Sequence, residues 1–142
     1  MRAMNTLGQL FIKAHVSLYR SSGGKLGSSI KKMPVILLTT HGRKSGVERT
    51  VPLVPFIDGD ELYVMGSMGG APQHPAWFLN LEKNPEIEVQ RGADKWRGRA
   101  EILPDSERSK IWPRVKERYS NFADYEKKTS REIPVVHLQR QA

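Results

Sequence analysis

Residues 35–57 read VILLTTHGRKSGVERTVPLVPFI. The opening Val35–Thr40 is a continuous apolar run closing on threonines, short for a helix and suited to a strand buried on both faces. His41-Gly-Arg-Lys-Ser-Gly46 follows, with two glycines four apart, and then Val47 to Ile57, rich in β-branched residues. The stretch therefore predicts a hairpin with a short Gly-bounded loop. Beyond it, Asp58-Gly59 marks a turn, Glu61 to Met65 a strand and Gly66 to Ala71 a loop. Pro75 suits a first helical position, so Ala76 to Lys83 is expected to be a short helix closed by Asn84-Pro85. Glu86 to Gln90 and Lys95 to Ile102 alternate polar and apolar, and the second should point Trp96, Gly98, Ala100 and Ile102 inward. Asp105 is expected to cap a helix whose Ile111, Trp112, Val115 and Tyr119 share a face, with Pro113 breaking or restarting it. Ile133 to Leu138 reads as the last strand. About six short, mostly hairpin-linked strands with surrounding helices predict a mainly β, α+β fold, closed into a small barrel because closure hides strand edges. The alternating pattern of a parallel β-α-β sheet is missing, which argues against a Rossmann fold.

The chain has 142 residues, the size of one ordinary domain, and no cysteine. Disulfides, thiolate nucleophiles and cysteine-ligated metals are thereby removed. His15, His41, His74 and His137 are scattered, so no metal site is expected. Phosphate-binding P-loops, dinucleotide fingerprints and nucleophile elbows do not occur. Any hard chemistry must come from a cofactor. The 23 Lys and Arg against 15 Asp and Glu give a net charge of +8. No nucleic-acid-binding motif accompanies that charge, and the aromatics do not interleave with basic stretches.

The N-terminal residues contain no apolar run long enough to span a membrane. Met4, Leu7, Phe11, Ala14 and Leu18, with Leu10 beside them, are spaced for one face of a helix, and Arg2, Lys13 and Arg20 surround it. Such a helix caps the domain core or lies on an anionic membrane surface, and the two are compatible. Ser21 to Lys32 reads as a Gly/Ser/Lys linker.

Three stretches carry candidate chemistry. Gly42-Arg43-Lys44-Ser45-Gly46 with Arg49 brings three cations and close-approaching backbone into one loop, which is either a solvated basic tip or an anion grip. Gly66 to Ala71, running into the helix near Pro75, offers free N–H groups to an anion or a polar ring edge. Trp77 and Phe78 lie just inside that helix, suited to the core or to packing beside a planar cofactor. Tyr119, Phe122 and Tyr125, spaced by three, are core residues or the wall over an aromatic substrate.

Met33 to Gly46, Arg49 to Pro55, Gly66 to Ala71 and Pro75 to Leu81, continued through Asn84-Pro85 to Ile133-Pro-Val-Val136, resemble in order the deazaflavin-dependent nitroreductase family, over about 100 of the 142 residues. The resemblance implies a split β-barrel over residues 33–142 behind an N-terminal helix and linker at 1–32. It implies binding of coenzyme F-420, whose phosphate and polyglutamate tail form a multiply charged anion. By position, Arg43, Lys44, Ser45 and Arg49 would grip the phosphate and tail. Thr50, Val51, Pro52, Leu53 and Val54 would line the deazaflavin and ribityl portion. Met65, Gly66, Ser67 and Met68 with Ala76, Trp77, Phe78, Leu79 and Asn80 would complete the pocket, and Phe122 would close over it.

The activity implied is hydride transfer from the reduced deazaflavin to a menaquinone-like quinone or another electron-poor conjugated or nitroaromatic acceptor. Ser67, Tyr119 and Tyr125 are candidates for protonating that acceptor. Met68 stands where members of this family often carry lysine. Val54 and Phe122 occupy positions that are tyrosine in members activating nitroimidazole prodrugs. The other readings are an FMN- or heme-binding split barrel and a non-enzymatic lipid- or cofactor-binding module. The expected setting is cytoplasmic, at the inner face of the membrane if the N-terminal helix touches lipid. The expected partner is a small-molecule acceptor, with no nucleic acid, on a monomer or weak homodimer.

Overall fold

The computed structural model describes residues 6–141 apart from 26, 28, 31 and 32, with side chains from residue 10 onward except 29 and 30. Helix α1 (Thr6–Ser21) leads into a two-residue hairpin, β1 (Ser29–Ile30) and β2 (Met33–Pro34). The main sheet comprises β3 (Ile36–His41), β4 (Glu48–Leu53), β5 (Phe56–Asp58), β6 (Glu61–Met65), β7 (Glu86–Arg91), β8 (Asp94–Ile102) and β9 (Val135–Arg140). Between them lie α2 (Ala76–Lys83), α3 (Asp105–Arg118) and α4 (Asn121–Lys128). All pairings are antiparallel, in the order β4-β3-β7-β8-β9-β6-β5.

The run Val47 to Ile57, expected as one strand, is two strands on opposite edges of that sheet. Only Val54 and Pro55 separate Leu53 from Phe56, a step that extended chain covers in at most about 11 Å. Seven flat strands would hold their edges roughly 29 Å apart. The sheet must therefore curl until its edges approach, although β4 and β5 do not pair. A barrel closed around one unpaired seam is the result. Pro52 lies in β4, where an edge strand tolerates a missing N–H.

Packing follows the alternation of strand residues. Ile36 and Leu38 of β3 face the barrel interior with Leu62, Val64, Val89 and Val136, and α2 plugs it with Trp77, Phe78 and Leu81. Val35 and Leu37 point to the other side, against α1. A strand buried on both faces accounts for the unbroken apolar run. A third cluster packs Trp112, Val115, Tyr119 and Phe122 of the α3–α4 region on Met65, Ile133 and Val135. At Gly98 a Cβ would stand 2.1 Å from the Gln139 carbonyl oxygen, so β8 and β9 approach too closely there for any side chain.

Four expectations change. Pro113 sits inside α3 without ending it, and the break falls at Tyr119–Ser120, where α4 begins. Helix α3 is capped by Pro104, with Asp105 in its first turn, where its charge suits the helix dipole. Pro75 likewise precedes α2 as its cap, and its carbonyl accepts from the N–H groups of Phe78 and Leu79. Gly98 and Ala100 are buried as expected, but Ile102 is exposed and Leu103 turns under α3 instead.

The expected inner face of α1 is its outer one. Leu10, Phe11 and Leu18 are exposed, Phe11 by 70%, and Ala14 with them. Arg2 and Met4, and the side chain of Leu7, lie outside the described residues. Ile12, Val16 and Tyr19 form the packed stripe. Tyr19 decides the orientation. It is fully buried, and its hydroxyl lies 2.8 Å from the Val35 carbonyl oxygen and 3.2 Å from that of Gln90, either of which can accept its proton. The same oxygen accepts the Gly92 N–H at 2.7 Å. Among the described residues no helix is long and apolar enough to cross a membrane.

One side chain fixes the loop after β6. The Arg131 guanidinium donates to the carbonyls of Gly66, Ser67 and Ala71 and to Nδ1 of His74, at 2.8–3.1 Å. The loop it holds includes a left-handed turn, with φ of 47° at Met68, 64° at Gly69 and 85° at Gly70. A Cβ at Gly70 would lie 2.8 Å from the Tyr125 carbonyl oxygen, so the turn is wedged against α4. Accepting from Arg131 requires His74 to be unprotonated at Nδ1. Burial, then the Arg131 charge, lower its pKa below the usual histidine value.

Two outcomes follow. Tyr19→Phe leaves the half-buried Gly92 N–H without its acceptor and should cost about 1–3 kcal/mol in urea unfolding. Because the folded pKa of His74 is lowered, the unfolded chain binds more protons as pH falls below about 6.5, and stability falls with it. His74→Gln keeps an acceptor without a titrating ring. Its stability should decline less than wild type between pH 7 and pH 5 in the same assay.

Candidate functional site

The curl leaves one large cavity, about 1530 Å³, between α1, the β3–β4 loop, edge strand β4, the loop after β6, and the N-terminal parts of α2 and α4. Its basic side is built on the hairpin loop. The Gly42 N–H donates to the Val47 carbonyl and the Gly46 N–H to the Gly42 carbonyl, with Gly46 at φ 74°. Ser45 braces this loop, its hydroxyl accepting the Val47 N–H.

Helix α2 then positions Arg43. Asn80, only 3% exposed, accepts from both the backbone N–H and the guanidinium of Arg43 at 3.1 Å, and its own amide donates to Thr40. Lys83 donates to the Arg43 carbonyl at 2.8 Å. Asn80, expected as a cofactor contact, therefore lines the cavity and also serves as the strut of the arginine beside it.

Lys44 and Arg49 project from the loop and from β4, both exposed. Helix α1 adds Lys13 and Arg20 to the lining of the cavity, giving five cations against one carboxylate, Glu48. Among the described residues none of these five forms an ion pair. Elsewhere on the molecule Lys95, Arg108, Arg114, Lys116 and Arg140 do, while Arg97, Arg99, Lys110 and Arg131 do not. Arg20 donates instead to the Thr50 hydroxyl at 2.8 Å, which is 2.7 Å from that of Thr39.

The remaining wall is apolar and aromatic. Met33, Val51, Pro52, Leu53, Val54, Met65, Trp77 and Phe122 contribute to it, with Ser67, Met68, Ala76 and Tyr125 at its edges. Phe122 and Tyr125 stand edge to face, with ring centroids 5.6 Å apart, and Asn121 donates to the Tyr125 hydroxyl at 3.3 Å.

Four of the expected site residues do not reach this space. Gly66 packs on Pro134, while Phe78 and Leu79 belong to the interior cluster beneath α2. Tyr119 is 5% exposed, with its hydroxyl donating to the Pro55 carbonyl at 3.0 Å, and burial raises its pKa. Of the three hydroxyls expected to handle a proton, Ser67 and Tyr125 line the cavity and Tyr119 stands behind it. The sequence reading missed the contribution of α1, namely Ile12, Lys13, Val16, Ser17, Arg20 and Ser21, as well as Met33, Glu48 and Asn121. The signal for α1 was present: Ile12, Val16 and Tyr19 repeat at helical spacing, with Lys13, Ser17 and Arg20 one residue on.

The basic wall fits a multiply charged cofactor. Three independent cations on one loop and strand, and two more on a facing helix, stand without carboxylate partners around a space large enough for a ring system. The family whose model is described as F420H(2)-dependent quinone reductase matches residues 11–140. An F420H(2)-dependent quinone reductase of Mycobacterium tuberculosis (strain H37Rv) is 35% identical over 138 residues, 94% of this chain and 93% of that protein. A solved structure described as a domain-swapped dimer shares 31% identity with a TM-score of 0.71, over 95% of this chain and all of the other. The solved structure of an F420-H2 dependent reductase (FDR-A) shares 37% identity with a TM-score of 0.68, over 75% of this chain and 94% of that one. A split barrel whose cavity is lined by both cations and aromatic side chains thus has its place: the chain belongs to the F420H(2)-dependent quinone reductase family, enzymes whose cofactor is reduced coenzyme F-420.

Proposed function

We propose that this chain reduces a menaquinone-like quinone by hydride transfer, with cofactor and acceptor held together in this cavity. The observation that carries the reading is size combined with polarity. Pockets for a single drug-sized ligand run to roughly 300–1,000 Å³. The cavity of about 1530 Å³ exceeds that range, and its lining combines five cations with an apolar and aromatic surface.

Arg43, Lys44 and Arg49 would hold the cofactor's phosphate and tail, each cation drawing an anion about 4 Å away with roughly 4 kcal/mol at an effective dielectric near 20, before desolvation. Thr50 to Leu53 of the edge strand and Trp77 would line its ring. When bound, the reduced deazaflavin supplies the hydride from carbon 5. The chain's task is then to hold the acceptor within reach and keep bulk water out. Val54, Phe122 and Tyr125 form the aromatic and apolar side on which a quinone ring would rest. Quinol formation also needs a proton, and the Ser67 and Tyr125 hydroxyls are the cavity-wall groups suited to deliver it. Five cations suit a long polyanion better than the single phosphate of FMN, which ranks a flavin or heme reading second.

A lipid-soluble acceptor gives the outer stripe of α1 a role. Leu10, Phe11 and Leu18 are exposed on a helix that also carries Lys13 and Arg20, the composition of a helix lying on an anionic bilayer.

Binding of oxidised coenzyme F-420, followed by its fluorescence, should give a Kd below the millimolar range that weakens with salt. Lys44→Ala with Arg49→Ala, both on exposed side chains, should weaken it about tenfold or more. Absence of wild-type binding at millimolar cofactor removes the reading. Co-sedimentation with vesicles rich in phosphatidylglycerol tests the membrane contact. Phe11→Ser with Leu18→Ser should abolish sedimentation while leaving cofactor binding intact.

A further inference from the structure

We infer that Arg131 is a positioning residue for acceptor reduction: through the loop after β6 it aims the Ser67 hydroxyl at the acceptor, and His74 makes that hold sensitive to pH. This role rests on the proposed proton route through Ser67. It adds two residues that do not belong to the cavity lining.

Ser67 is 7% exposed and lines the cavity, and among the described residues nothing hydrogen-bonds to its hydroxyl. A hydroxyl so placed is free for a substrate oxygen. The backbone aims it. The peptide planes before and after Ser67 carry the Gly66 and Ser67 carbonyls, and Arg131 donates to both, at 3.0 and 2.8 Å. With both flanking planes fixed, the Cα–Cβ direction of Ser67 is fixed too, and only the side chain's own rotation remains.

The loop needs that support. Ser67 has φ −76°, but Met68 follows at φ 47°, a region that residues with a Cβ seldom enter. Arg131 also donates to the Ala71 carbonyl and the His74 ring, so its guanidinium brackets the turn from Gly66 to His74. Four of its five N–H groups are engaged, and every acceptor is uncharged. An ammonium has three donors on one atom and cannot reproduce that span. Lysine in this place would keep the charge and lose the shape.

His74 closes the bracket and makes it titratable. Its Nδ1 accepts from Arg131 at 3.1 Å, and its ring centroid lies 4.8 Å from that of Phe78 on α2. The charged groups facing it are Arg131 and, from α2, Glu82. Burial, then Arg131, lower its pKa, and Glu82 opposes them. Protonation at Nδ1 removes the acceptor and sets a second cation against the guanidinium. That end of the turn is released as pH falls below the ordinary histidine value of about 6.5.

In the reaction the quinone gains a hydride, two electrons with one proton, and becomes a quinol monoanion while the cofactor is left oxidised. Ser67 passes its proton to that oxygen and takes one back from water, which completes the quinol. A hydroxyl displaced by about 1 Å slows this step without loosening the grip of Arg43, Lys44 and Arg49 on the cofactor.

Reduction of menadione by reduced coenzyme F-420 tests this in a double-mutant cycle. Ser67→Ala and Arg131→Lys should each lower kcat about tenfold or more, and the two together no further than either alone. Arg131→Lys should leave the Kd of oxidised coenzyme F-420 within about twofold of wild type. Between pH 7 and pH 5, kcat of wild type should fall more steeply than that of His74→Gln, which keeps an acceptor and cannot titrate. In protein without cofactor, Arg131→Lys should speed amide exchange across residues 66–71 and leave β3 and β7 as protected as in wild type.

Multiplicative losses in the double variant overturn the inference, because Arg131 then acts other than through Ser67. So does full activity of Arg131→Lys, or an identical pH dependence of kcat in wild type and His74→Gln. Should Arg131→Lys lose protection in the barrel strands as well, the two pH profiles decide. A wild type that reduces no quinone, or a Ser67→Ala variant with unchanged kcat, removes the underlying reading and this role with it. Either result is visible without any change at Arg131.

Discussion

Two residues, Val54 and Pro55, carry the chain from one edge of a seven-stranded sheet to the other, and that short tether governs the rest of the molecule. A flat sheet cannot satisfy it, so the strands curl and the two edges stand close without pairing. Helix α2 fills the interior. The seam remains as a wall of backbone and side chains from β4, and α1 and α4 flank it to enclose the cavity. Pro55 does further work here: its carbonyl takes the Tyr119 hydroxyl, so the crossing is also the point where the α3–α4 region is fastened to the barrel.

Much of this was legible in local sequence. The run Val35–Leu38 has no polar interruption because one face meets the barrel core and the other meets α1. The hairpin loop announces itself through Gly42 and Gly46, the second at a left-handed φ. Its cations line the cavity, whereas their pattern alone left a solvated basic tip and an anion grip equally open. The helix Ala76–Lys83 was bounded correctly by Pro75 and Asn84-Pro85.

The misreadings share a physical origin, which is that their deciding partners are remote. Two apolar stripes run along α1. Amphipathicity favours the one through Phe11 and Leu18, and the other is selected by packing of Ile12, Val16 and Tyr19 on Val35 and Leu37 together with the Tyr19 hydroxyl, whose partners lie 16 and more than 70 residues away. Val47 to Ile57 keeps β character throughout, so nothing local reveals that it changes sheet edge. Tyr119 has the same spacing to Phe122 as Phe122 has to Tyr125, but the helix break at Tyr119–Ser120 turns it into the core while Phe122 and Tyr125 reach the cavity. Arg131 stands in an unremarkable loop sequence, and its three carbonyl acceptors and the His74 ring lie about 60 residues back along the chain.

Two surface arginines and two cavity arginines are held in different ways. Arg114 and Arg140 make two-pronged contacts with Asp58 and Asp94 on the surface, where charge is neutralised as it is positioned. Two of the three cavity arginines are positioned by groups without charge. Arg43 is held by the Asn80 amide and Arg20 by the Thr50 hydroxyl. An amide or hydroxyl fixes a guanidinium's direction while leaving its positive field intact for whatever enters. A carboxylate in either place would hold the side chain more firmly and cancel its attraction for an anion. Asn80 is buried in contact with Thr40, so exchanging its amide for aspartate would place a charge in the pocket wall beside the very group meant to meet the ligand. Neutral partners at both arginines are therefore the arrangement that lets a preformed cavity stay cationic, and the net charge of +8 is concentrated in part where a polyanion can use it.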